Sequence, residues 1–124
     1  MSPQAQTGHK RIQEILGPQS TQIVEMLSAI SPDFGRYILE IGYGEFYTRP
    51  GISDKTREIA AVACLVGQGS TGLPLKAHLR GMLNVGHTQN DVLEVLLFLI
   101  PYVGIPPIVN AMLTVDAVFK EVQN

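Results

Sequence analysis

The chain has 124 residues, of which 45% are hydrophobic and 16% charged, against about 25% charged residues in an ordinary domain. This composition excludes a disordered chain, and nine Lys and Arg against eleven Asp and Glu without a basic cluster argue against nucleic-acid binding. A single cysteine excludes an intramolecular disulfide framework and any CxxC redox or zinc site. At roughly 100–200 residues per domain, we expect residues 1–124 to form one domain, with residues 1–8 polar and flexible.

The low charge also bears on assembly. A short chain has a large surface relative to its volume, and that surface normally carries many charges. We therefore expect part of it to be covered by further copies of the chain. The N-terminal residues include no apolar segment typical of a secretory signal, so we expect a cytoplasmic protein.

Helical spacing of apolar residues begins in the first third of the chain. It predicts a helix over residues 19–30. Pro32 and Asp33 suit the first turn of the next helix, which we expect to run toward Phe46. Ser53 is a good N-cap for a third helix, over residues 54–66.

The second half of the chain carries the clearer helix signals. Pro74 opens a helix that places His78 on an apolar face, next to Leu75 and Met82. Thr88 and Asp91 have the spacing of a capping box, and the helix they begin is apolar nearly all round, which predicts burial on most faces. Since alternation at period two is not sustained anywhere, we expect an all-α fold of five to seven helices.

Residues 95–115 contain no charged side chain, and this segment is about as long as a membrane-spanning helix. However, four helix-breaking residues interrupt this run, and they favour a turn. They are Pro101, Gly104, Pro106 and Pro107. We therefore expect two apolar helices that meet at a tight corner buried in protein, the second of them beginning near Pro106 or Pro107.

Five short segments together carry a family resemblance. They are residues 46–52 (FYTRPGI), 55–59 (KTREI), 75–84 (LKAHLRGMLN), 88–96 (TQNDVLEVL) and 104–111, in which GIP is followed by NA. Their order and spacing resemble the carboxymuconolactone decarboxylase family, over roughly residues 40–122. The resemblance implies an all-α, alkylhydroperoxidase D-like helical bundle that assembles as a homo-oligomer, a trimer or a hexamer. Such an assembly would account for the low charge.

One branch of this family carries a Glu, then a CxxC motif, then a His, and acts as a thiol peroxidase. Glu58 and His78 match the two ends of that pattern, but Thr71 and Pro74 stand where the cysteines would be. Neither residue can form a thiolate or a disulfide, which argues against thiol peroxidase chemistry. The chain therefore resembles the branch that lacks the CxxC motif.

For that branch the resemblance implies decarboxylation of an unsaturated lactone carboxylate, as in aromatic catabolism. The lactone takes up the electrons that the departing carboxylate leaves behind, so we expect neither a metal nor an organic cofactor. The site needs a cation, a hydrogen-bond donor for the developing enolate, and an acid that delivers a proton to carbon.

The resemblance assigns the catalytic roles to His78 and Glu58. Histidine titrates near neutral pH and can transfer a proton, whereas the alternative for His78 is a core histidine satisfied by one partner. Glu58 lies four residues before Val62, at the border of an apolar stripe, so a partly buried carboxylate could pair with His78. The alternative for Glu58 is a surface glutamate that pairs with Lys55.

Four further residues are candidates for substrate binding. Arg49 and Arg80 could each grip a carboxylate with two hydrogen bonds, although Arg80 faces away from His78 and a salt bridge suits it as well. Tyr47 could donate a hydrogen bond or simply cap the core. His87 precedes the Thr88 cap, where the family has an apolar residue, and it could be a second acid or base or a half-exposed histidine.

Three functions remain open on these grounds. The first is a decarboxylase of a carboxymuconolactone, and the second is a biosynthetic tailoring enzyme, such as an isomerase, cyclase or dehydratase, that uses the same pocket. The third is a non-catalytic oligomeric binding protein. All three involve a small carboxylate or lactone, and neither nucleic acid nor membrane. Cys64, within an apolar helix, is expected to be a small buried side chain rather than a nucleophile.

Overall fold

The computed structural model describes residues 1–122, and within them every regular element is helical. Seven α-helices, one π-helix and one 3₁₀-helix follow one another over this described part, without a strand. The all-α prediction is thereby confirmed. Two compact units divide the chain, the N-terminal unit at residues 1–54 and the C-terminal unit from Lys55 onward. That residues 1–124 act as one domain stays a prediction.

The N-terminal unit consists of short helices connected by tight turns. Its buried apolar side chains come from the first helix, the second helix and the π-helix, and they include Ile12, Val24 and Leu39. The elements are α1 Pro3–Leu16, α2 Ser20–Ile30, α3 Pro32–Tyr37, the π-helix Ile38–Tyr43 and the 3₁₀-helix Phe46–Thr48.

Helix α1 corrects the expectation that residues 1–8 are loose. The Ser2 hydroxyl accepts a hydrogen bond from the Ala5 amide at 3.1 Å, and Pro3 occupies the first helical position. Both features stabilise a helix N-terminus. Ala5 is buried, and the Gln4 side-chain amide donates to the Glu40 carbonyl at 2.9 Å, so the first turn is tied to the π-helix.

The helix expected from Pro32 toward Phe46 is not one continuous α-helix. Helix α3 ends at Tyr37, and the chain continues as a π-helix over Ile38–Tyr43. A π-helix has wider turns than an α-helix, with hydrogen bonds from residue i to i+5, so it changes which residues share a face. Within this segment Leu39 and Tyr43 are buried, whereas Ile41 is exposed.

Four helices build the C-terminal unit around one apolar core. They are α4 Asp54–Gly67, α5 Leu73–Asn84, α6 Gln89–Val103 and α7 Ile105–Val122. Each contributes a stripe at helical spacing, as the sequence predicts. The buried core is made of Val62, Val66, Leu75, Leu79, Met82, Val92, Leu96, Leu99, Ile108, Ala111, Val115 and Val118.

The tight corner predicted within residues 95–115 lies at Gly104. This glycine ends α6 with a φ of +85°, in the left-handed region that favours glycine, and α7 begins at the next residue. Pro101 is accommodated inside the last turn of α6, and α7 begins at Ile105, ahead of the predicted start at Pro106 or Pro107. Over the described residues, no helix is long and apolar enough to cross a membrane.

Helix α6 corrects the expectation that it is buried on most of its faces. Phe98 is 68% exposed and Tyr102 74% exposed, on a side of α6 that faces away from the core of the C-terminal unit. The exposed side chains of α6 continue onto α7, and we call the set the outer apolar face. It consists of Leu97, Phe98, Tyr102, Ile105, Val109 and Leu113.

The capping box at the start of α6 is present as predicted and generates a stability test. The Thr88 hydroxyl accepts from the Asp91 amide at 3.0 Å, and the Asp91 carboxylate accepts from the Thr88 amide at 2.9 Å. Thr88→Ala removes the first of these bonds, so we expect the free energy of unfolding to fall by about 1 kcal/mol in urea denaturation. Thr88→Ser keeps a hydroxyl and should retain most of the stability; equal losses in both variants would contradict the capping role.

Candidate functional site

Glu58 and His78, the two predicted catalytic residues, lie in direct contact. The His78 Nδ1 atom and the Glu58 Oε1 atom are 2.8 Å apart, and the Glu58 side chain is completely buried. On α4, Glu58 continues the stripe formed by Val62 and Val66, at intervals of four residues. The face of α4 that packs into the core therefore includes the Glu58 carboxylate as well as the apolar side chains.

The hydrogen bond fixes how the imidazole of His78 is used. When Glu58 is ionised its oxygens can only accept, and the Nδ1–H group of His78 then donates to Glu58. The proton on Nδ1 leaves Nε2 as the ring nitrogen that can take up or deliver a proton. Within residues 1–122, Nε2 has no hydrogen-bond partner, and the His78 side chain is 18% exposed. This pair can hold one proton at Nε2 while Glu58 stabilises the imidazolium.

Arg80 lies on another face of α5, in contact with α7. Its Nε atom donates to Glu121 Oε2 at 3.1 Å, and Lys76 Nζ lies 2.6 Å from the other oxygen of the same carboxylate. The salt bridge weighed for Arg80 is therefore present, within the chain. Arg80 does not contact Glu58 or His78, and its role in substrate binding stays a prediction.

His87 is more buried than the half-exposed histidine weighed for it, with a side chain that is 10% exposed. Its Nε2 atom lies 3.1 Å from the Lys55 carbonyl oxygen, and Nδ1 lies 3.9 Å from Asp91 Oδ2. It lines a groove of about 460 Å³ between α4 and α6, together with Ile59 and Phe98. The ring thus sits beside an apolar groove with a carboxylate at its edge.

Tyr47 and Arg49, the other predicted binding residues, belong to the N-terminal unit. Tyr47 stacks on Tyr43 with ring centroids 4.3 Å apart, and its carbonyl accepts from Arg11 Nε at 2.9 Å. The Tyr47 ring thus packs against another aromatic side chain, which agrees with the alternative that Tyr47 caps the core. Arg49 is exposed and follows the 3₁₀-helix in an extended conformation. Neither residue's part in binding is tested by these contacts.

Cys64 departs from the expectation of a buried side chain, because it is exposed on α4. Its neighbours Val62 and Val66 face the core, and Cys64 lies between them on the opposite side of the helix. Among the described side chains, no group of three or more His, Cys, Asp or Glu residues is arranged to hold a metal ion.

Two of the candidate residues are held by partners that were not predicted from the sequence. Glu121 pairs with Arg80 and Lys76 across α5 and α7, and the Lys55 carbonyl holds His87. The sequence does contain a signal for the pairing with Glu121. Lys76 and Arg80 are four residues apart on one helix face, and two like charges at this spacing repel each other unless a carboxylate lies between them. Nothing in the local sequence indicates the second, since a backbone carbonyl is present at every residue.

Comparison with known proteins gives one consistent result. The model of the carboxymuconolactone decarboxylase family matches residues 32–117. A 4-carboxymuconolactone decarboxylase of Acinetobacter baylyi is 32% identical over 109 residues, which cover 87% of this chain and 81% of that protein. A nitrosuccinic acid decarboxylase of Metarhizium robertsii is 30% identical over 84 residues, which cover 68% of this chain and 58% of that protein.

The cluster around Glu121 generates a prediction about pH. Hydrogen bonds from Lys76 and then Arg80 lower the pKa of Glu121 below its ordinary value. A carboxylate whose pKa is lower in the folded state stabilises the fold above its unfolded pKa, and the contribution is lost as the pH falls through the folded pKa. We expect Glu121→Gln to lower the unfolding temperature at pH 7 and to converge with the parent protein in acid.

The control for this test is Glu45→Gln, because Glu45 is exposed and forms no ion pair with any described residue. It should follow the parent protein across the whole pH range in thermal melts. A Glu121→Gln difference that stayed constant from pH 7 into acid would show that the ion pairs do not contribute to stability.

Proposed function

Because the chain belongs to the carboxymuconolactone decarboxylase family, we propose that it is a carboxy-lyase acting on an unsaturated lactone carboxylate, without a cofactor. The observation that carries this proposal is the contact between a fully buried carboxylate, Glu58, and a histidine with a free Nε2 atom. Such a pair supplies one proton at a defined place. A decarboxylation needs this proton after carbon dioxide has left, when the carbanionic carbon is protonated.

The reaction can be written with this pair alone. The bond between the carboxylate carbon and the ring carbon breaks, and carbon dioxide leaves. The two bonding electrons move through the conjugated double bond onto the lactone carbonyl and form a dienolate. The Nε2–H group of His78 then protonates the carbanionic carbon, and Glu58 holds the ring in orientation throughout. Proton uptake from water restores His78 for the next cycle.

The two named decarboxylases support the choice of substrate class. A carboxymuconolactone carries its carboxyl group on an unsaturated lactone, and nitrosuccinic acid carries one beside a nitro group. In both acids an electron-withdrawing group next to the leaving carboxylate accepts the electrons. We therefore assign to this chain a small carboxylate that serves as its own electron acceptor.

Four other residues enter the proposal as substrate ligands. A guanidinium matches a carboxylate with two parallel hydrogen bonds, so Arg49 is assigned to the substrate's carboxylate, with Tyr47 as a hydrogen-bond donor. Arg80 is a weaker candidate because Glu121 already accepts from it. His87 is assigned to contacts with the substrate's ring, since it lines an apolar groove.

The surroundings of His87 favour one alternative reaction. A histidine that is 10% exposed, near the Asp91 carboxylate at 3.9 Å, is a second potential acid or base within the same unit as His78. An isomerase, cyclase or dehydratase would use two such groups, one to remove a proton and one to deliver it. Incubation with 4-carboxymuconolactone separates the two functions, because only a decarboxylase releases carbon dioxide from it.

We also propose that the outer apolar face is a contact between copies of the chain, in a trimer or a hexamer. Its six side chains lie in the run of residues 95–115, which contains no charge, and each of them is 49% exposed or more. An apolar patch of this kind on a protein surface is typical of an interaction site. A second copy of the chain is the partner that suits this face best. Every copy presents the same uncharged apolar surface, so two such surfaces can pack against each other.

The Glu58–His78 pair is tested by two substitutions. His78→Gln removes the proton donor, and we expect the turnover number for 4-carboxymuconolactone to fall by about 10²- to 10⁴-fold. Glu58→Gln preserves the shape of the side chain but removes the acceptor that fixes the His78 tautomer, so the turnover number should fall as well, with less change in KM. Steady-state kinetics followed by carbon dioxide release measures both.

Glu45→Gln is the matched control for Glu58→Gln, because it makes the same chemical change at an exposed site. It should keep the parent turnover number. Circular dichroism spectra must show that all three variants are folded. Parent-like turnover by folded His78→Gln would remove His78 from the mechanism.

The proposed subunit contact is tested by placing a charge on it. Phe98→Glu changes a side chain that is 68% exposed, so the folded chain should tolerate it, whereas an apolar contact would not. Light scattering should show an oligomer for the parent protein and a smaller species for Phe98→Glu. Ala60→Glu, at an exposed position on α4, is the control. A monomeric parent protein would contradict the proposal.

A further inference from the structure

One arginine side chain bridges the two sides of the loop that carries Arg49. This loop, residues 49–53, lies between the 3₁₀-helix and α4. The Nε atom of Arg11, in α1, donates to the Tyr47 carbonyl at 2.9 Å, and its Nη2 atom donates to Asp54 Oδ1 at 2.6 Å. The residues that flank the loop are therefore fixed to a single guanidinium, within the N-terminal unit.

The third nitrogen atom of the guanidinium keeps Arg11 itself in place. Its Nη1 atom donates to Glu14 Oε2 at 2.6 Å, one turn further along α1, and the Arg11 side chain is 19% exposed. Charges that are partly withdrawn from water are screened less than exposed ones, and a planar fork loses little freedom for each hydrogen bond it makes. All three nitrogen atoms of the group thus act in one fixed arrangement.

The sequence explains why the Tyr47 carbonyl needs a donor from outside its own helix. In a 3₁₀-helix this carbonyl would accept from the residue three positions on, which is Pro50 and has no N–H group. Arg49 precedes this proline, and its backbone is extended, with a φ of −68° and a ψ of 139°. The helix therefore ends here, and Arg11 supplies the hydrogen bond that the proline cannot.

Between its two flanks the loop is open to solvent. All five of its residues are exposed. At Gly51 an added Cβ would meet no atom of the described residues within 4 Å, apart from its chain neighbours. Exposed segments with few packing contacts are the parts of a protein that move most easily. The conformation of residues 49–53 therefore depends on how firmly their flanks are held.

We propose that Arg11 is a positioning residue for substrate binding, because by bridging the two sides of the loop it holds Arg49 ready for the substrate's carboxylate. This inference rests on the proposed lyase function, in which Arg49 is a substrate ligand. A side chain on an ordered loop loses less freedom when it binds, so the substrate is bound more tightly. Arg11 acts through Arg49 and not on the reacting atoms, so its loss weakens binding and spares the chemical step.

Arg11→Lys tests this role on the full chain. A lysine keeps the charge, but a single ammonium group cannot hold the Tyr47 carbonyl and the Asp54 carboxylate in the same planar arrangement. We expect the KM for 4-carboxymuconolactone to rise about tenfold, the equivalent of one lost charge-assisted hydrogen bond, with a turnover number within about twofold of the parent value. A merely structural role would reduce the amount of folded enzyme, which lowers the turnover number at an unchanged KM.

The order of the loop is measured directly, in the absence of substrate. NMR relaxation of the isotope-labelled protein gives the order parameters of the Gly51 and Ile52 amides, and both should fall in Arg11→Lys. This readout does not depend on catalysis. If the parent protein released no carbon dioxide, the proposed lyase function would fail, and the order parameters would still decide whether Arg11 holds the loop.

Two variants are matched controls. Arg36→Lys makes the same chemical change at an exposed arginine of the same unit, which pairs with Asp33 and Glu40. Glu14→Gln removes the third partner of Arg11 and leaves its contacts with the two sides of the loop. Neither variant should change the KM or the order parameters.

Two results would overturn the proposal. In the first, folded Arg11→Lys has the KM of the parent protein. In the second, its KM rises although the order parameters of the loop keep their parent values, which would show that Arg11 affects substrate binding by another route.

Discussion

A carboxylate in an apolar core is the constraint on which the C-terminal unit depends. Removing Glu58 from water is costly unless a partner replaces the lost hydrogen bonds, and His78 supplies one at 2.8 Å. The contact holds α4 against α5, because Val62 and Met82 lie one turn beyond Glu58 and His78, within the same core. Packing and chemistry therefore impose the same arrangement on these two helices, and a change that disturbs one disturbs the other.

The helices that could be predicted from the sequence are those with both a cap and an apolar stripe. Helix α6 has a capping box and a stripe and begins within one residue of its signal. Helix α1 gives a weaker signal, because its stripe includes small residues, such as Ala5 and Gly8, among polar ones. The π-helix could not be anticipated, since sequence periodicity assumes the spacing of an α-helix. Where the backbone departs from α-helical spacing, the buried residues can no longer be read from the sequence periodicity.

The same distinction holds for the candidate site. Glu58 and His78 each lie on an apolar stripe, so their burial could be inferred locally, and the resemblance to a family suggested that they meet. The partner of Arg80, by contrast, is Glu121, which lies 41 residues further along the chain. Such a contact depends on how α7 returns past α5, and no local pattern records it. Long-range pairing is therefore where inference from the sequence ends.

The π-helix has a consequence for how this chain tolerates change. A π-turn is equivalent to one residue inserted into an α-helix, so it sets the rotation of everything that follows. Downstream of Ile38–Tyr43 lie the stacked Tyr47 and the exposed Arg49. Helical turns continue from this segment to Thr48, so the orientation of Tyr47 depends on the number of residues in it, whereas Arg49 follows in extended backbone. Substitutions within it preserve the register, whereas deletion of a single residue would rotate the Tyr47 side chain by roughly a quarter of a turn about the helix axis.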